Sequence, residues 1–369
     1  MDHQKGTTNK IKQGSRPVVL YFYLSPSSFV VQDIESLQES YTVKLFLFEP
    51  SPKILLPLSF LKQLFFLLGN IHSATILMCQ FSGYHSMLPV VFSGIFHKIS
   101  LIVVGGTDCV SMPSINYGNL RKPLLRWFTL KSLKYSDHII SPGESLIECD
   151  YTYTDADFPK QGFRYFDKSI NTDVTVIYNG IDTERFKPDA NTVRGKMTFL
   201  TVCNNLDNRN FILKGIDLFT EMAIQFPECQ FTIIGRAAPG FNFEKPANLT
   251  HIDFIGHESL PSKMTEFTYY CQLSMSEGFG VALAEAMASG CVPIVSRVGI
   301  MDFIAGDSGF ILIKRDAGML KSLIGKALDA DTQSLARRAR ERVVEKFSNH
   351  RRKTELLKLL QKFNNGSKI

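Results

Sequence analysis

No Cys-x-x-Cys pair occurs in this 369-residue chain, and its seven cysteines, at 79, 109, 149, 203, 229, 271 and 291, are odd in number and widely spaced. That pattern excludes a disulfide framework and a cysteine zinc site, and reads as reduced, mostly buried thiols. An apolar leader is missing too. Met1 to Arg16 is polar and basic, so no secretory signal is expected. Together these absences predict a cytoplasmic protein. The most apolar segment, Ile54 to Gly69, is interrupted by Pro57, Lys62 and Gln63. It falls short of the roughly 20 clean apolar residues of a spanning helix and reads as a buried or interfacial one. There is no internal repeat and no low-complexity tract. No histidine cluster has metal-ligand spacing, and the lone Asp-x-Asp string, Asp155-Ala156-Asp157, stands apart from every other motif; no metal is expected. No Gly-x-Gly-x-x-Gly follows an opening strand, which argues against a dinucleotide-dependent dehydrogenase.

What remains is a globular composition, 44% hydrophobic and 21% charged, with a net charge of +6. The length suits two domains of about 150 to 200 residues. From Pro17 onward, short β-rich runs alternate with helical stretches, the pattern of parallel sheets covered by helices on both faces. Strands are predicted at Val18–Tyr23, Val43–Phe48, Thr75–Gln80, Leu101–Val104, His138–Ser141 and Val174–Tyr178. A second series starts at Thr198–Cys203 and runs through Phe231–Ile234, His251–Ile255, Gln272–Met275, Val292–Ser296 and Gly309–Ile313. The turn formers Asn179-Gly180 and Lys187-Pro188-Asp189 mark the linker. The fold class is therefore α/β with two doubly wound, Rossmann-like domains. A flexible tail is expected at residues 1–16, one domain at 17–190, a second at 191–350, and at 351–369 a C-terminal helix free to pack back on the first domain. Residues 151–173 fit neither period.

The chemistry concentrates in Ser276-Glu277-Gly278-Phe279-Gly280-Val281-Ala282-Leu283-Ala284-Glu285, a turn joining a strand to a helix. Open α/β sheets bind ligands at such carboxyl-end turns. Gly278 and Gly280 admit close backbone approach, and the helix start offers free N–H groups to a phosphate or sugar oxygen. Glu277 and Glu285 can face one cleft without touching, each able to accept from a pair of hydroxyls. Arg209 and Lys214 precede another helix, where cations run against the macrodipole unless an anion lies between. A diphosphate would be that anion. The plainer alternatives are a helix-start glutamate and two exposed basic side chains.

These residues resemble the retaining family 4 glycosyltransferases, which have the GT-B fold, two Rossmann-like domains facing across a cleft. The resemblance rests on E-x7-E within EGFGVALAEAMASGCVPIVS, with VIYNGIDTERFKP, LKGIDLF, FTIIG and IDFIGHESL in the expected order. It covers about Val174 to Phe363 well and is weaker upstream. By it, Arg209 and Lys214 bind the donor pyrophosphate, Glu285 the ribose, and Glu277 with the backbone of Gly278, Phe279 and Gly280 the transferred sugar; Val281 is a further donor-binding residue. It implies retention of anomeric configuration without a metal and without a cofactor beyond the nucleotide-diphosphate sugar. It further implies that residues 17–190 form the acceptor side and 191–350 the nucleotide-sugar side, with a glycan or lipid-linked glycan of cell-surface polysaccharide synthesis as acceptor, and no nucleic acid is expected as partner.

The N-terminal half departs from the pattern. Ser25-Pro26-Ser27-Ser28 stands where a Gly-Gly loop is common, and Gly105 where a functional histidine is common. Asp108, in a flexible turn at a strand end, is the candidate catalytic carboxylate of that half; His85 reads as structural, and His257 as a candidate for the base pocket. A non-catalytic glycosyltransferase-like binding subunit and a nucleotide-sugar epimerase remain as alternatives. Residues 51–134 hold eight basic residues against the single acid Asp108, beside the apolar segment around Leu58–Leu68. That combination suits peripheral docking on an anionic inner membrane surface.

Overall fold

The computed structural model describes residues 16–50 and 52–364; the flexible tail expected over 1–16 lies outside these, apart from Arg16. The N-terminal half runs β1 (Val18–Tyr23), α1 (Ser28–Gln38), β2 (Thr42–Leu47), α2 (Leu56–Asn70), β3 (Ala74–Gln80), α3 (Tyr84–Phe96), β4 (Ile99–Val103), α4 (Pro123–Tyr135) and β5 (His138–Ser141). A short hairpin, β6 (Cys149–Asp150) with β7 (Lys160–Gln161), then α5 (Phe163–Phe166) and β8 (Val174–Val176) complete it. The C-terminal half runs β9 (Thr198–Leu206), α6 (Asn208–Leu213), α7 (Ile216–Gln225), β10 (Gln230–Ala237), β11 (Leu249–Ile252), α8 (Leu260–Thr265), β12 (Tyr269–Gln272) and α9 (Val281–Ala288). It ends with β13 (Val292–Ser296), α10 (Met301–Ala305), β14 (Phe310–Leu312), α11 (Ala317–Leu328), α12 (Thr332–Lys346) and α13 (Asn349–Asn364).

Each half builds a six-stranded sheet, in the orders β2-β1-β3-β4-β5-β8 and β11-β10-β9-β12-β13-β14, with every pair parallel. The central strands are apolar on both faces because helices cover both, as in VVLYFY of β1 and VPIVS of β13. The strand order reverses between β1 and β3 in one sheet and between β9 and β12 in the other. At such a reversal adjoining loops diverge and open a crevice. Here the two crevices face each other.

Three details differ from the sequence expectations. The strand expected at Gln272–Met275 is β12, which ends at Gln272: Met275 N–H bonds to Leu213 O instead of the ladder, and Ser274 O accepts from the Ser296 hydroxyl. Arg209 lies on a helix, capped by Asp207, whose carboxylate accepts from Asn210 N–H at 2.7 Å. The apolar segment Ile54–Gly69 lies within an unbroken helical run from Lys53 to Asn70, 18 residues long, which by length and composition is enough to span a bilayer. Pro57 falls in its first turn, where a proline starts a helix rather than breaking it. This run is not core. Only Ser59, Gln63 and Leu67 are buried, and Ile54 and Phe65 are 85% and 65% exposed.

Two straps tie the halves together. Residues 151–173, which fitted neither period, send Tyr151 and Tyr153 into the second core, where their hydroxyls donate to Met275 O (3.0 Å) and Leu273 O (3.4 Å). In return, α13 packs Leu356, Leu359 and Leu360 against Val19, Tyr21 and Val30 of the first domain. Its Arg352 makes a bidentate, buried pair with Asp33 at 2.6 Å, and donates to Ile177 O and Tyr178 O.

Candidate active site

The loop after β12 turns at Ser274 and presents Glu277 to the cleft. One carboxylate oxygen, Oε1, accepts from Lys214 Nζ at 2.5 Å, Gln272 Nε2 at 2.8 Å and Ser274 Oγ at 2.8 Å. Three donors on one oxygen fix the rotamer and leave the other oxygen for a ligand. Lys214 stands where α6 meets α7, and desolvation opposes its charge. The Glu277 carboxylate, with Tyr117 and Cys203, outweighs that loss and raises its pKa above the ordinary lysine value. Lys214 is therefore a fixed cation throughout the physiological range. Tyr117, from the opposite domain, is held by Thr107 at 3.1 Å, and its hydroxyl pKa is raised mainly by burial and lowered by the nearby Lys214 charge.

The domains touch at glycines. A β-carbon on Gly278 would sit 2.1 Å from Gly105 O, so only glycine permits this approach. Gly280 caps α9 at φ +97°, a left-handed conformation that turns the chain into the helix. The first-turn N–H groups of α9 are thereby left without helical partners at the cleft. About one turn further on, Glu285 is buried, and its Oε1 lies 3.4 Å from His257 Nε2.

Two adjoining cavities occupy the cleft. One, of about 360 Å³, is lined by Phe29, Gln80, Gly105, Lys214, Glu277 and Gly278, among others. The other, of about 640 Å³, takes in Ser27, Arg236, Phe254, His257, Val281 and Glu285. Asn204 and Asn205 line both. Lys214, Glu277, Gly278, Phe279, Gly280, Val281 and Glu285 are thus brought to one cleft, while Arg209 lines neither cavity. A larger cavity, about 1190 Å³, is elsewhere, between α12 and the residues before β9, and holds none of the expected site residues. Among the described residues no group of three His, Cys, Asp or Glu side chains could hold a metal ion.

Asp108 is corrected from its expected catalytic role. It is 1% exposed, and its carboxylate is taken up by the backbone N–H groups of Ser82 (2.8 Å), Gly105 (3.0 Å) and Gly106 (3.0 Å). Burial raises its pKa and those bonds oppose the rise. Its carboxylate oxygens are committed to the turn it shapes. The space of a side chain at Gly105 is filled by Phe81, whose ring would lie 1.6 Å from a β-carbon there. His85 does not replace the absent histidine: it is buried, bonded to Gln80 O at 2.8 Å, and its pKa is lowered by desolvation to about 4.

Sequence reasoning missed Tyr117, Asn204, Asn205, Gln272 and Ser274. For Gln272 and Ser274 a signal existed, polar residues at the carboxyl end of a central strand. Tyr117 lies 97 positions from Lys214 in a segment without periodicity and had none.

Residues 183–346 match the model of the family described as glycosyl transferases group 1. The chain is 25% identical over 188 residues to an MMP alpha-(1->4)-mannosyltransferase of Mycolicibacterium hassiacum, covering 47% of this chain and 44% of that protein. It is 28% identical over 189 residues to the phosphatidyl-myo-inositol mannosyltransferase of Mycolicibacterium smegmatis, covering 48% and 49%. The chain spans about half the length of these curated relatives. Among solved structures, a sucrose-phosphate synthase from Thermosynechococcus elongatus superposes at TM-score 0.74 with 16% identity, covering 95% of this chain and 100% of that one. Anabaena HepE in complex with UDP-glucose superposes at 0.66 with 15% identity, covering 93% and 99%. The fold is GT-B, as the sequence led us to expect, and the likeness to the family 4 glycosyltransferases holds in the C-terminal half.

Proposed function

We propose that this chain moves a sugar from a nucleotide-diphosphate sugar to a glycan or glycolipid acceptor in cell-surface polysaccharide synthesis, with retention and without a metal. The observation that carries this reading is the fixed Lys214–Glu277 pair set against the glycine-capped start of α9, with Glu285 about one turn deeper in the adjoining cavity. Lys214 keeps one donor on Glu277 and turns the others to the donor diphosphate. The α9 N–H groups add positive potential where negative charge grows on the leaving group. The free oxygen of Glu277 accepts from the hydroxyls of the transferred sugar, and Glu285 from those of the ribose. Arg236, Phe254 and His257 line the same cavity and suit the base.

In the transfer, the bond from the anomeric carbon to the phosphate oxygen breaks as the acceptor oxygen bonds to that carbon on the same face. The acceptor proton passes to the departing phosphate, leaving a glycoside and a nucleoside diphosphate. This route asks no protein base of the Gly105 position, which Phe81 closes. The same closure favours a second reading, a binding subunit that holds the nucleotide sugar without turnover.

Thermal-shift screening against a panel of nucleotide sugars tests the donor, since a ligand of the native state stabilises it by mass action. No shift with any of them would remove the donor site. For the best binder, turnover should survive EDTA, and NMR should find the donor's anomeric configuration in the product. Activity restored only by added Mg2+ or Mn2+, or an inverted product, would refute the mechanism; donor binding with no turnover on any acceptor would favour the binding subunit. The reduced thiols and the exposed apolar, basic face around α2 support placement in the cytoplasm, peripheral at the inner membrane surface.

A further inference from the structure

The cleft cavity of about 640 Å³ holds, besides Glu285, two charged side chains for which the diphosphate and the ribose have no use, Arg236 and Asp253. β10 and β11 pair in parallel with Ile234 opposite Ile252, so these two residues come from adjacent carboxyl ends and line one space. Asp253 is positioned by a backbone contact: its Oδ1 accepts from Ala237 N–H at 3.0 Å. Lone pairs remain on both carboxylate oxygens. The Arg236 guanidinium lies over the Phe254 ring, 4.8 Å from its centroid. Among the described residues neither charge is in an ion pair, so a carboxylate and a guanidinium share the cavity without neutralising each other.

A base that fits this pair must offer donors to the carboxylate and acceptors to the guanidinium. Guanine alone among the common bases carries two N–H donors side by side, at N1 and N2, the arrangement a carboxylate accepts in parallel. Its next edge carries two acceptors, O6 and N7, which a guanidinium takes with two N–H groups. Uracil sets its one ring N–H between two carbonyl oxygens, so a carboxylate reaching for that donor meets a like partial charge. Adenine and cytosine each place an acceptor ring nitrogen beside the amino group, with the same penalty.

We infer that Asp253 and Arg236 read guanine and that the donor is a guanosine-diphosphate sugar, its base on these two side chains and its ribose on Glu285. This rests on the nucleotide-sugar reading above and names the base which that reading leaves open. Asp253→Asn isolates the contact. The amide keeps an oxygen for Ala237 N–H and turns an NH2 group toward the guanine donors, so the readout is lost while the backbone contact stays.

Calorimetry compares GDP, UDP, ADP, CDP and inosine diphosphate, which is GDP without its N2 amino group. The wild-type chain should bind GDP at least about tenfold more tightly than each of the others, within the range that one bidentate base contact supplies. In Asp253→Asn the preference for GDP over inosine diphosphate should fall below about threefold, with UDP affinity held within about twofold. Equal affinity for all of them, preference for another base, or a GDP preference that survives in Asp253→Asn overturns the inference and leaves the donor site standing. Binding of none of them removes the donor site itself, and the inference with it. If Asp253→Asn melts well below wild type, Arg236→Met carries the comparison, since its stem still covers Phe254. GDP should then lose at least about fivefold and UDP less than about twofold; equal losses overturn the inference.

Discussion

Replacing Lys214 by methionine removes the charge that the donor diphosphate would meet while keeping most of the side-chain volume. The ammonium is 2.5 Å from Glu277 Oε1 in a site where the two side chains are 31% and 13% exposed, so both groups are partly shielded from water. Two effects then weaken donor binding. A charge-assisted hydrogen bond to phosphate is lost, about 1.5 to 3 kcal/mol, or roughly tenfold to just over a hundredfold in affinity. Glu277 also loses its counter-charge and becomes a carboxylate facing a diphosphate, so part of the loss is repulsion. That part is separable. Lys214→Met combined with Glu277→Gln should bind the nucleoside diphosphate more tightly than Lys214→Met alone, because the amide carries no charge. The assay is calorimetry with the best nucleotide sugar and its nucleoside diphosphate across the double-mutant cycle. A dissociation constant within about twofold of wild type for Lys214→Met would refute the placement of the phosphates, and additivity in the cycle would refute the coupling.

Glu285→Ala should weaken donor binding by a similar factor, whereas Glu277→Ala should lower kcat more than affinity; steady-state kinetics with the identified donor reads both. His85 is neutral in the fold, with its pKa lowered from 6.5 to about 4. The unfolded chain takes up the proton first, so stability is full above about pH 6.5 and falls toward pH 4, by about 2 kcal/mol at pH 5; urea titrations should show this loss diminished in His85→Gln. Asp33→Ala leaves the buried Arg352 guanidinium without its counter-charge and should cost about 3 to 5 kcal/mol, read as a lower urea midpoint. In flotation assays the chain should bind anionic vesicles in a salt-sensitive manner, and Ile54→Asp with Phe65→Asp should abolish it; no binding at low salt would make α2 an ordinary surface helix.

Much of the protein was legible in its residues because the relevant causes are local. Strand runs such as VVLYFY and VPIVS are apolar throughout because both faces are covered, and that requirement is written into consecutive positions. The two-domain division follows from chain length and from the turn formers between Val176 and Thr198. Glu277 and Glu285 could be placed on one cleft since a glycine turn and one helical turn separate them, a geometry that eight positions of backbone dictate. What only the tertiary structure decided are the pairings between distant segments. Asp108 offered a carboxylate at a strand end, and nothing nearby in sequence revealed that the Ser82 amide, 26 positions away, would help bury it. Gly105 announced a vacancy that the Phe81 ring had already filled. The tyrosines at 151 and 153 had no periodicity to follow because their partners lie some 120 residues on, in the other domain.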